Sequence, residues 1–407
     1  MSKKFVLPGI DKYIRNRPVR LHMPGHQGRP LKGERRLTGF YPYDVTELSQ
    51  TDDLFVSTGY LRVAQDALAS ACGSERAYFL VNGANCGILA AFTALFAQGD
   101  AVIVDRNCHH SVISALIVSG VKPLFIRGSK IETFGITGNI TEEALHALLS
   151  AHANVKGICI TRPTYYGVAM DLEPIAKVVR EYNLKLIVDE AHGAHFHYSD
   201  LLPDSAVSCA HIVINSFHKT LPSPNQTAAL LTNGLNEEET LRLENALRMF
   251  QTSSPSFVLL ACMDAARSYM QGRGRERLEK NIIYIQKLRA RTRLEGIPNA
   301  ETDSLRIIAR GLDAQALYEK FNIVCEMDDG QNQVFIITSE TRKRDIRRLF
   351  RALSFGDGTR QSCQTDETIV PELAASPREA YFAHKETVPV NQAAGRICAQ
   401  HVMETPP

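Results

Sequence analysis

The chain predicts an α/β fold: a mostly parallel sheet flanked by helices, followed by a smaller α+β domain. Three observations carry that expectation. Between about residues 77 and 232, short apolar, β-branched runs alternate with helix-length segments, which is the pattern of βαβ units. Several of those runs end in polar residues, as strands do at the carboxyl edge of such sheets, where ligands bind. Beyond about residue 300 the alternation gives way to two short strands and two helices.

With 407 residues the chain has room for a sizeable core and roughly two to three domains. We divide it into an N-terminal arm at 1–60, a large α/β domain with bridging helices at 61–295 and a small α+β domain at 296–407. Lys plus Arg is 46 against 44 for Asp plus Glu, and the net charge of +2 gives no general pull toward nucleic acid or an anionic membrane. No basic cluster interleaved with aromatics supports nucleic-acid binding. Nine cysteines without a C-x-x-C pair fit reduced thiols in the cytoplasm, not a disulfide framework or a zinc ribbon. The apolar run at the start is broken by Pro8 and Asp11, so it makes a poor signal peptide. The uncharged stretch from Ala77 to Gly99 is long enough to span a bilayer, but Asn82, Gly83, Asn85 and Gly87 cut it into a strand and a helix. The expectation is a soluble, cytoplasmic protein.

Residues 1–60 read as irregular, with turn formers at Met23-Pro24-Gly25-His26 and Tyr41-Pro42-Tyr43-Asp44; such an arm needs another surface to lie on. Helical periodicity follows at 61–72. Strands are predicted at Ala77–Val81, Ala101–Val104, Pro123–Ile126, Gly157–Thr161, Lys185–Val188, Ile212–Asn215 and Ala228–Leu231. The helices between them are Ile88–Phe96, Ser111–Ser119, Glu142–Ser150 and Ile175–Tyr182. Glu237–Met249 and Phe257–Met270 read as helices, and a long one here would bridge two domains. Ser304–Ala309 and Val334–Thr338 read as strands, Ala314–Phe321 and Arg344–Leu353 as helices. Residues 354–370 read as a loop, and 376–400 as a helix plus a closing strand.

The chain is organised around Ile212-Val213-Ile214-Asn215-Ser216-Phe217-His218-Lys219. A buried strand runs into a polar turn and a lysine, and a lysine desolvated there has a lowered pKa and is nucleophilic enough to form a Schiff base. In Leu186-Ile187-Val188-Asp189-Glu190-Ala191-His192 a strand delivers Asp189 to the same edge. On its own, Asp189 reads as a helix cap or a structural ion pair. His192, His195 and His197 with Asp189 and Glu190 also offer metal-ligand types, although the H-E-x-x-H arrangement is absent.

The turn at Asn82-Gly83-Ala84-Asn85-Cys86-Gly87 opens a helix, and free N–H groups there make an anion site that Gly83 and Gly87 allow a phosphate to approach. It is neither a Walker loop nor G-x-G-x-x-G. Val104-Asp105-Arg106-Asn107-Cys108-His109 ends another strand with an imidazole able to lie on an aromatic ligand. Thr161-Arg162-Pro163-Thr164-Tyr165-Tyr166-Gly167 ends a further one, where Tyr-Tyr-Gly reads as packing. An anion turn, a stackable His, a buried Asp and a Lys together meet the needs of pyridoxal phosphate.

These motifs, with His22-Met23-Pro24-Gly25-His26, Thr46-Glu47-Leu48-Ser49-Gln50-Thr51-Asp52-Asp53-Leu54, Pro377-Arg378-Glu379-Ala380 and Ala394-Gly395-Arg396-Ile397, make the chain resemble the ornithine/lysine/arginine decarboxylases of pyridoxal-phosphate fold type I, in their short bacterial form. The resemblance covers nearly the whole chain. It implies an aspartate-aminotransferase-like fold and a homodimer or higher oligomer with active sites at the subunit interface. It also implies decarboxylation of lysine, arginine or ornithine. The implied cofactor contacts are Gly83, Ala84, Asn85 and Cys86 at the phosphate with Ser216 and His218, His109 on the ring face, Asp189 at the pyridine nitrogen, Ala191 and His192 beside the ring, and Lys219 as the Schiff-base lysine. Lys219, His192 and Asp189 are the implied catalytic groups. Glu47, Asp52, Asp53, Glu326 and Asp328 are candidate acids for a cationic substrate side chain. The phosphate turn has fewer hydroxyls than is usual in the family, His110 stands where Lys is common, and the chain stops at Pro406-Pro407, short of its relatives. Two other readings stand beside this one. An aminotransferase or lyase would clamp the α-carboxylate with Arg306, Arg378 or Arg396. A catalytically silent binding protein would suit the altered turn, though retention of Asp189 and Lys219 weighs against it.

Overall fold

The computed structural model describes residues 2–30, 38–292, 296–298, 300–310, 313–354 and 373–398. In chain order the elements up to the middle of the sheet are α1 (Val6–Arg15), α2 (Tyr60–Cys72), β1 (Arg76–Leu80), α3 (Gly83–Leu95), β2 (Ala101–Asp105), α4 (His110–Ser119), β3 (Lys122–Ile126), a hairpin of β4 (Lys130–Ile131) and β5 (Ile136–Thr137), α5 (Glu142–Ala151), β6 (Val155–Thr161), α6 (Glu173–Glu181) and β7 (Lys185–Asp189). Then come β8 (Ile212–Ser216), the single turn α7 (Phe217–Thr220), β9 (Ala228–Thr232), α8 (Glu237–Phe250), α9 (Phe257–Tyr269) and α10 (Arg275–Arg289). The chain goes on through β10 (Arg306–Arg310), α11 (Ala314–Phe321), β11 (Met327–Asp328), β12 (Asn332–Ile336), α12 (Lys343–Leu353) and α13 (Pro377–Phe382).

Seven strands form one sheet in the order β1-β9-β8-β7-β6-β2-β3. β3, β2, β6, β7 and β8 are parallel neighbours, and β9 runs antiparallel to both β8 and β1. The strands are apolar on both faces because both are covered. On β7, Leu186 and Val188 join the larger core beneath α2, α5, α6, α9 and α10, while Ile187 joins a second core beneath α3, α4 and α8. Gly87 is what lets α3 lie close to the sheet: a Cβ there would meet Leu80 Cδ1 at 2.7 Å and Ile214 at 3.4 Å. That is a correction, since the sequence suggested phosphate approach at this position. Gly87→Ala is expected to destabilise by about 1–3 kcal/mol through overpacking, to be read as a lowered melting temperature; an unchanged melt would contradict the close packing.

Two further expectations are corrected. The first stretch is not irregular throughout, because α1 occupies Val6–Arg15 and buries Val6, Ile10 and Tyr13 at helical spacing. Pro8 is tolerated there because the first turn of a helix has no intrahelical use for its N–H. The decisive partner lies far along the chain. The Asp264 carboxylate on α9 accepts from Phe5 N (2.5 Å) and Val6 N (3.0 Å), and Arg267 binds both that carboxylate and Lys3 O at 2.6 Å. Near the other end, the expected helix is the short α13, and no strand follows it among the described residues. Instead Arg378 caps the carbonyl end of α4, donating to Ile117 O (2.7 Å) and Val118 O (3.0 Å). The loop expected at 354–370 lies, beyond Ser354, outside the described residues.

A three-stranded antiparallel sheet, β10-β12-β11, reaches the loop after β7 through Arg306 of β10, whose Nη2 lies 3.0 Å from His192 Nδ1. Helix α10 is joined to it through Asn281, which donates to Thr338 O and Thr341 O at 2.9 and 3.0 Å. The bridging helix is not continuous: at Met270–Gly274 it widens, with Gly272 at φ −150°, before α10 begins.

Candidate active site

Because β1, β2, β6, β7 and β8 point the same way, their carboxyl ends meet at one edge, and β9 starts from that edge. There Phe217 N donates to Thr227 O (2.9 Å) and Gly83 N to Gln226 O (2.9 Å), so one loop before β9 ties the lysine turn to the start of α3.

Lys219 is the third residue of α7, immediately after the fully buried β8. Its Nζ lies 3.0 Å from His192 Nε2. Burial pulls its pKa down, Arg306 adds to that, and Asp189 and Glu326 oppose it. Asp189 ends β7 in register with Ile214 of β8 and Thr161 of β6, and its Oδ1 accepts from Ala191 N (3.1 Å). Burial raises the Asp189 pKa, and the nearby Lys219 charge opposes the rise. The two groups therefore share one sheet edge and feel each other's charge.

His109 caps α4, its Nδ1 accepting from Ser111 N (3.2 Å) with Ser111 Oγ at 2.8 Å. Burial, then His110 and Lys219, lowers its pKa to about 4, so the ring is neutral and free to act as a flat surface. The His218 ring turns back to Thr227 O (3.1 Å), and Ser216 is buried without capping α7. At the start of α3, Gly83 has φ +74° with open space where a side chain would stand, and no side chain caps the helix. Cys86 donates to Gly83 O (3.0 Å), and burial raises its thiol pKa to about 12.

The three histidines after β7 go to different places. His192 Nδ1 lies 3.0 Å from Arg306 Nη2, His195 Nε2 lies 3.1 Å from Asp303 Oδ2, and His197 Nε2 lies 3.0 Å from Asn215 Oδ1. Among the described residues no group of three or more His, Cys, Asp or Glu converges to hold a metal ion. Glu190, fully buried, accepts from Ser205 Oγ (2.8 Å), Ala206 N (2.8 Å) and Asn215 Nδ2 (3.1 Å), which ties the end of β7 to that of β8.

The candidate acids also separate. Asp52 spends its oxygens on the amides of Asp53, Thr58, Gly59 and Leu61, at the start of α2, and Asp53 Oδ1 accepts from Phe55 N and Val56 N. Asp328 accepts from Ala314 N, Gly330 N and Gln333 Nε2. These three are engaged mainly by nearby backbone amides. Glu47 receives Thr46 Oγ1 on one oxygen (2.9 Å), while the other is buried without a partner. Glu326 is exposed, accepts from Tyr165 OH (2.7 Å) and lies within electrostatic reach of Lys219 and Arg306.

Two site groups escaped the sequence reading. Tyr165 is not mere packing: its ring meets the His192 ring edge-on at 4.8 Å between centroids, and its hydroxyl holds Glu326. Arg306, buried at the start of β10, was only one of three available arginines. Of the others, Arg378 caps α4 and Arg396 pairs with Glu386. Arg306 keeps Nε and Nη1 buried without partners. The local signal for it is Gly167 in the Tyr-Tyr-Gly turn, at φ +84°, where a Cβ would strike the Arg306 Cβ at 2.7 Å.

A family model described as Orn/Lys/Arg decarboxylase, major domain, matches residues 7–336. The chain belongs to the Orn/Lys/Arg decarboxylase family. It is 33% identical to the arginine decarboxylase of Bacillus subtilis over 98% of this chain and 88% of that protein. The solved structure of the Escherichia coli constitutive lysine decarboxylase superposes with a TM-score of 0.73 at 20% identity, covering 86% of this chain; the chain spans 60% of that longer one. A structure titled SPT with PLP superposes with a TM-score of 0.57 at 14% identity, covering 74% of this chain and 78% of that one. These two likenesses show the fold, which is pyridoxal-phosphate fold type I. A member of the Orn/Lys/Arg decarboxylase family is an amino acid decarboxylase that uses pyridoxal phosphate. The residues present fit that group: an uncapped helix start for a phosphate, a neutral imidazole, a buried carboxylate and a lysine with a lowered pKa at one edge. No described helix is long and apolar enough to cross a membrane.

Proposed function

We propose that this chain converts arginine to agmatine and carbon dioxide, with Lys219, Asp189 and His192 as its catalytic groups. The observation that carries the assignment of the site is the convergence of Lys219, His192 and Arg306 in one 3.0 Å chain beside Asp189. The near-full-length relative named arginine decarboxylase favours arginine over lysine and ornithine.

The amides at the start of α3, through Gly83, Ala84, Asn85 and Cys86, would hold the cofactor phosphate, assisted by Ser216 and His218. His109 would lie on the ring, Ala191 and His192 would flank it, and Asp189 would hold a proton on the pyridine nitrogen. Pyridoxal phosphate bound there supplies an electron sink for the pair left at Cα when the carboxylate departs. Lys219 Nζ would be the nucleophile that holds the cofactor. Arg306 keeps Nε–H and Nη1–H without partners, so it would donate to the substrate carboxylate and orient the group to be lost. Lys219 Nζ and His192 Nε2 lie side by side, and from there one of them hands a proton to Cα.

Glu326 takes the cationic end of the substrate, with the unpartnered oxygen of Glu47 as a second acid. Glu326→Gln is expected to raise KM for arginine about ten- to a hundredfold while moving kcat little, the loss of one charge-assisted contact. Purified protein with added cofactor should be given arginine, lysine and ornithine in turn and assayed for agmatine, cadaverine and putrescine. Faster release of cadaverine or putrescine would remove arginine as the substrate.

We also propose a homodimer, a division at residues 60 and 295, and residence in the reducing cytoplasm, where the free cysteines are stable. The arm supports the dimer: Val19 and Leu21 are 83% and 85% exposed in one chain, apolar surface that a second subunit would cover. A monomer by sedimentation equilibrium would remove that part.

A further inference from the structure

We propose that Arg306 is a positioning residue that fixes the proton of His192 on Nε2, and thereby holds Lys219 as the neutral amine. The inference rests on the proposed role of Lys219 as the lysine that captures the cofactor.

It follows from donor and acceptor chemistry. A guanidinium has only donors. Arg306 Nη2 lies 3.0 Å from His192 Nδ1, so Nδ1 must offer its lone pair. That excludes the imidazolium, which has no lone pair, and leaves the tautomer with its proton on Nε2. Nε2–H then faces Lys219 Nζ at 3.0 Å, and a donor there requires an acceptor. The ammonium form of lysine has none, whereas the neutral amine has one. The His192 ring cannot turn to escape this: it is buried, and Tyr165 stands edge-on against it at 4.8 Å between centroids.

The other groups around the pair leave this arrangement in place. His192 also feels Lys219, His109 and His195, while Lys219 also feels Asp189 and Glu326, whose negative charges favour its ammonium form. Arg306 opposes them twice, by its charge and through the imidazole. When an aldehyde reaches it, the neutral Lys219 releases the His192 N–H and its nitrogen pair forms the bond to carbon; the carbonyl π pair moves to oxygen, which takes the two amine protons and leaves as water, so the chain is ready to capture its cofactor near neutral pH.

Two measurements on the full chain test this. In the first, ¹⁵N NMR of histidine-labelled wild type, cofactor removed, should show His192 with Nδ1 unprotonated and Nε2 protonated at neutral pH. The resonance is assigned by its loss in His192→Phe. The opposite tautomer, or an imidazolium, overturns the proposal without any variant at Arg306 having to fold. In the second, the pH dependence of Lys219 reductive methylation, followed by mass spectrometry, gives its apparent pKa in wild type, Arg306→Gln, His192→Phe and the double variant. Arg306→Gln should raise that pKa in the wild-type background and shift it clearly less where His192 is absent. Equal shifts in both backgrounds mean that Arg306 acts by charge alone, and no shift in either means that it does not act; both overturn the proposal. Cofactor loading of the wild-type sample, read by visible absorption, is a separate readout. Its failure would remove Lys219 as the capturing lysine and leave the tautomer result standing.

Discussion

Lys219→Ala is expected to lose amine release by about 10³-fold or more, together with the visible absorption that a covalently captured cofactor gives the protein. The loss is large because, in the proposed roles, one nitrogen serves two purposes: it would hold the cofactor and, beside His192 Nε2, would stand at the carbon to be reprotonated. The fold should survive. Lys219 is half-buried, caps no helix and carries no ion pair within 4 Å among the described residues, so its removal breaks no direct ion pair. Thermal melting of the cofactor-free variant should match wild type, while absorption and amine release both vanish. Residual absorption with the wild-type spectrum would place the capturing lysine elsewhere.

Asp189→Asn should separate capture from catalysis. Lys219 remains, so the cofactor is still taken up and the protein still absorbs. Amine release is expected to fall by about 10²–10³-fold, the usual cost of removing a preorganised charge from a water-excluded site. Stability should move the other way. Burial raises the Asp189 pKa above its unfolded value, so the folded chain binds this proton more tightly than the unfolded one. Its contribution to stability is therefore fully present below the unfolded pKa and is lost as pH rises through the folded one. At neutral pH the ionised carboxylate is a cost that asparagine removes. Melts of the cofactor-free protein should show Asp189→Asn at least as stable as wild type at neutral pH, with that advantage shrinking in acid. A variant that melts well below wild type at neutral pH would mean that Asp189 is chiefly a structural ion-pair partner.

The elements at the centre of the chain were legible because their information is local. β7 and β8 announce themselves as apolar runs, and Asp189 and Lys219 follow them at the only places where a polar residue can leave a buried strand. Parallel strands then bring distant residues to one edge without further instruction, so the pairing of that acid with that lysine was readable from spacing. The acids could not be sorted for the converse reason. Asp52, Asp53 and Glu326 are alike as letters, yet two of them are occupied by nearby backbone amides, and the third lies within electrostatic reach of Lys219. A carboxylate's partner is set by which backbone N–H groups happen to be free nearby. Helix α1 was missed because the Asp264 that receives its first amides lies more than 250 residues away.

The sequence alone determined the α/β alternation, the five strand ends that gather at one edge, and the lysine, acid and imidazole that suit one cofactor. Only the tertiary structure decided that Arg306, and not Arg378 or Arg396, reaches His192, that Tyr165 holds Glu326, and that Gly87 serves packing. The division has a physical cause. Periodicity and strand-end polarity are written within a few residues, whereas a hydrogen bond between two folded sheets depends on how those sheets dock, and no local stretch of chain encodes that.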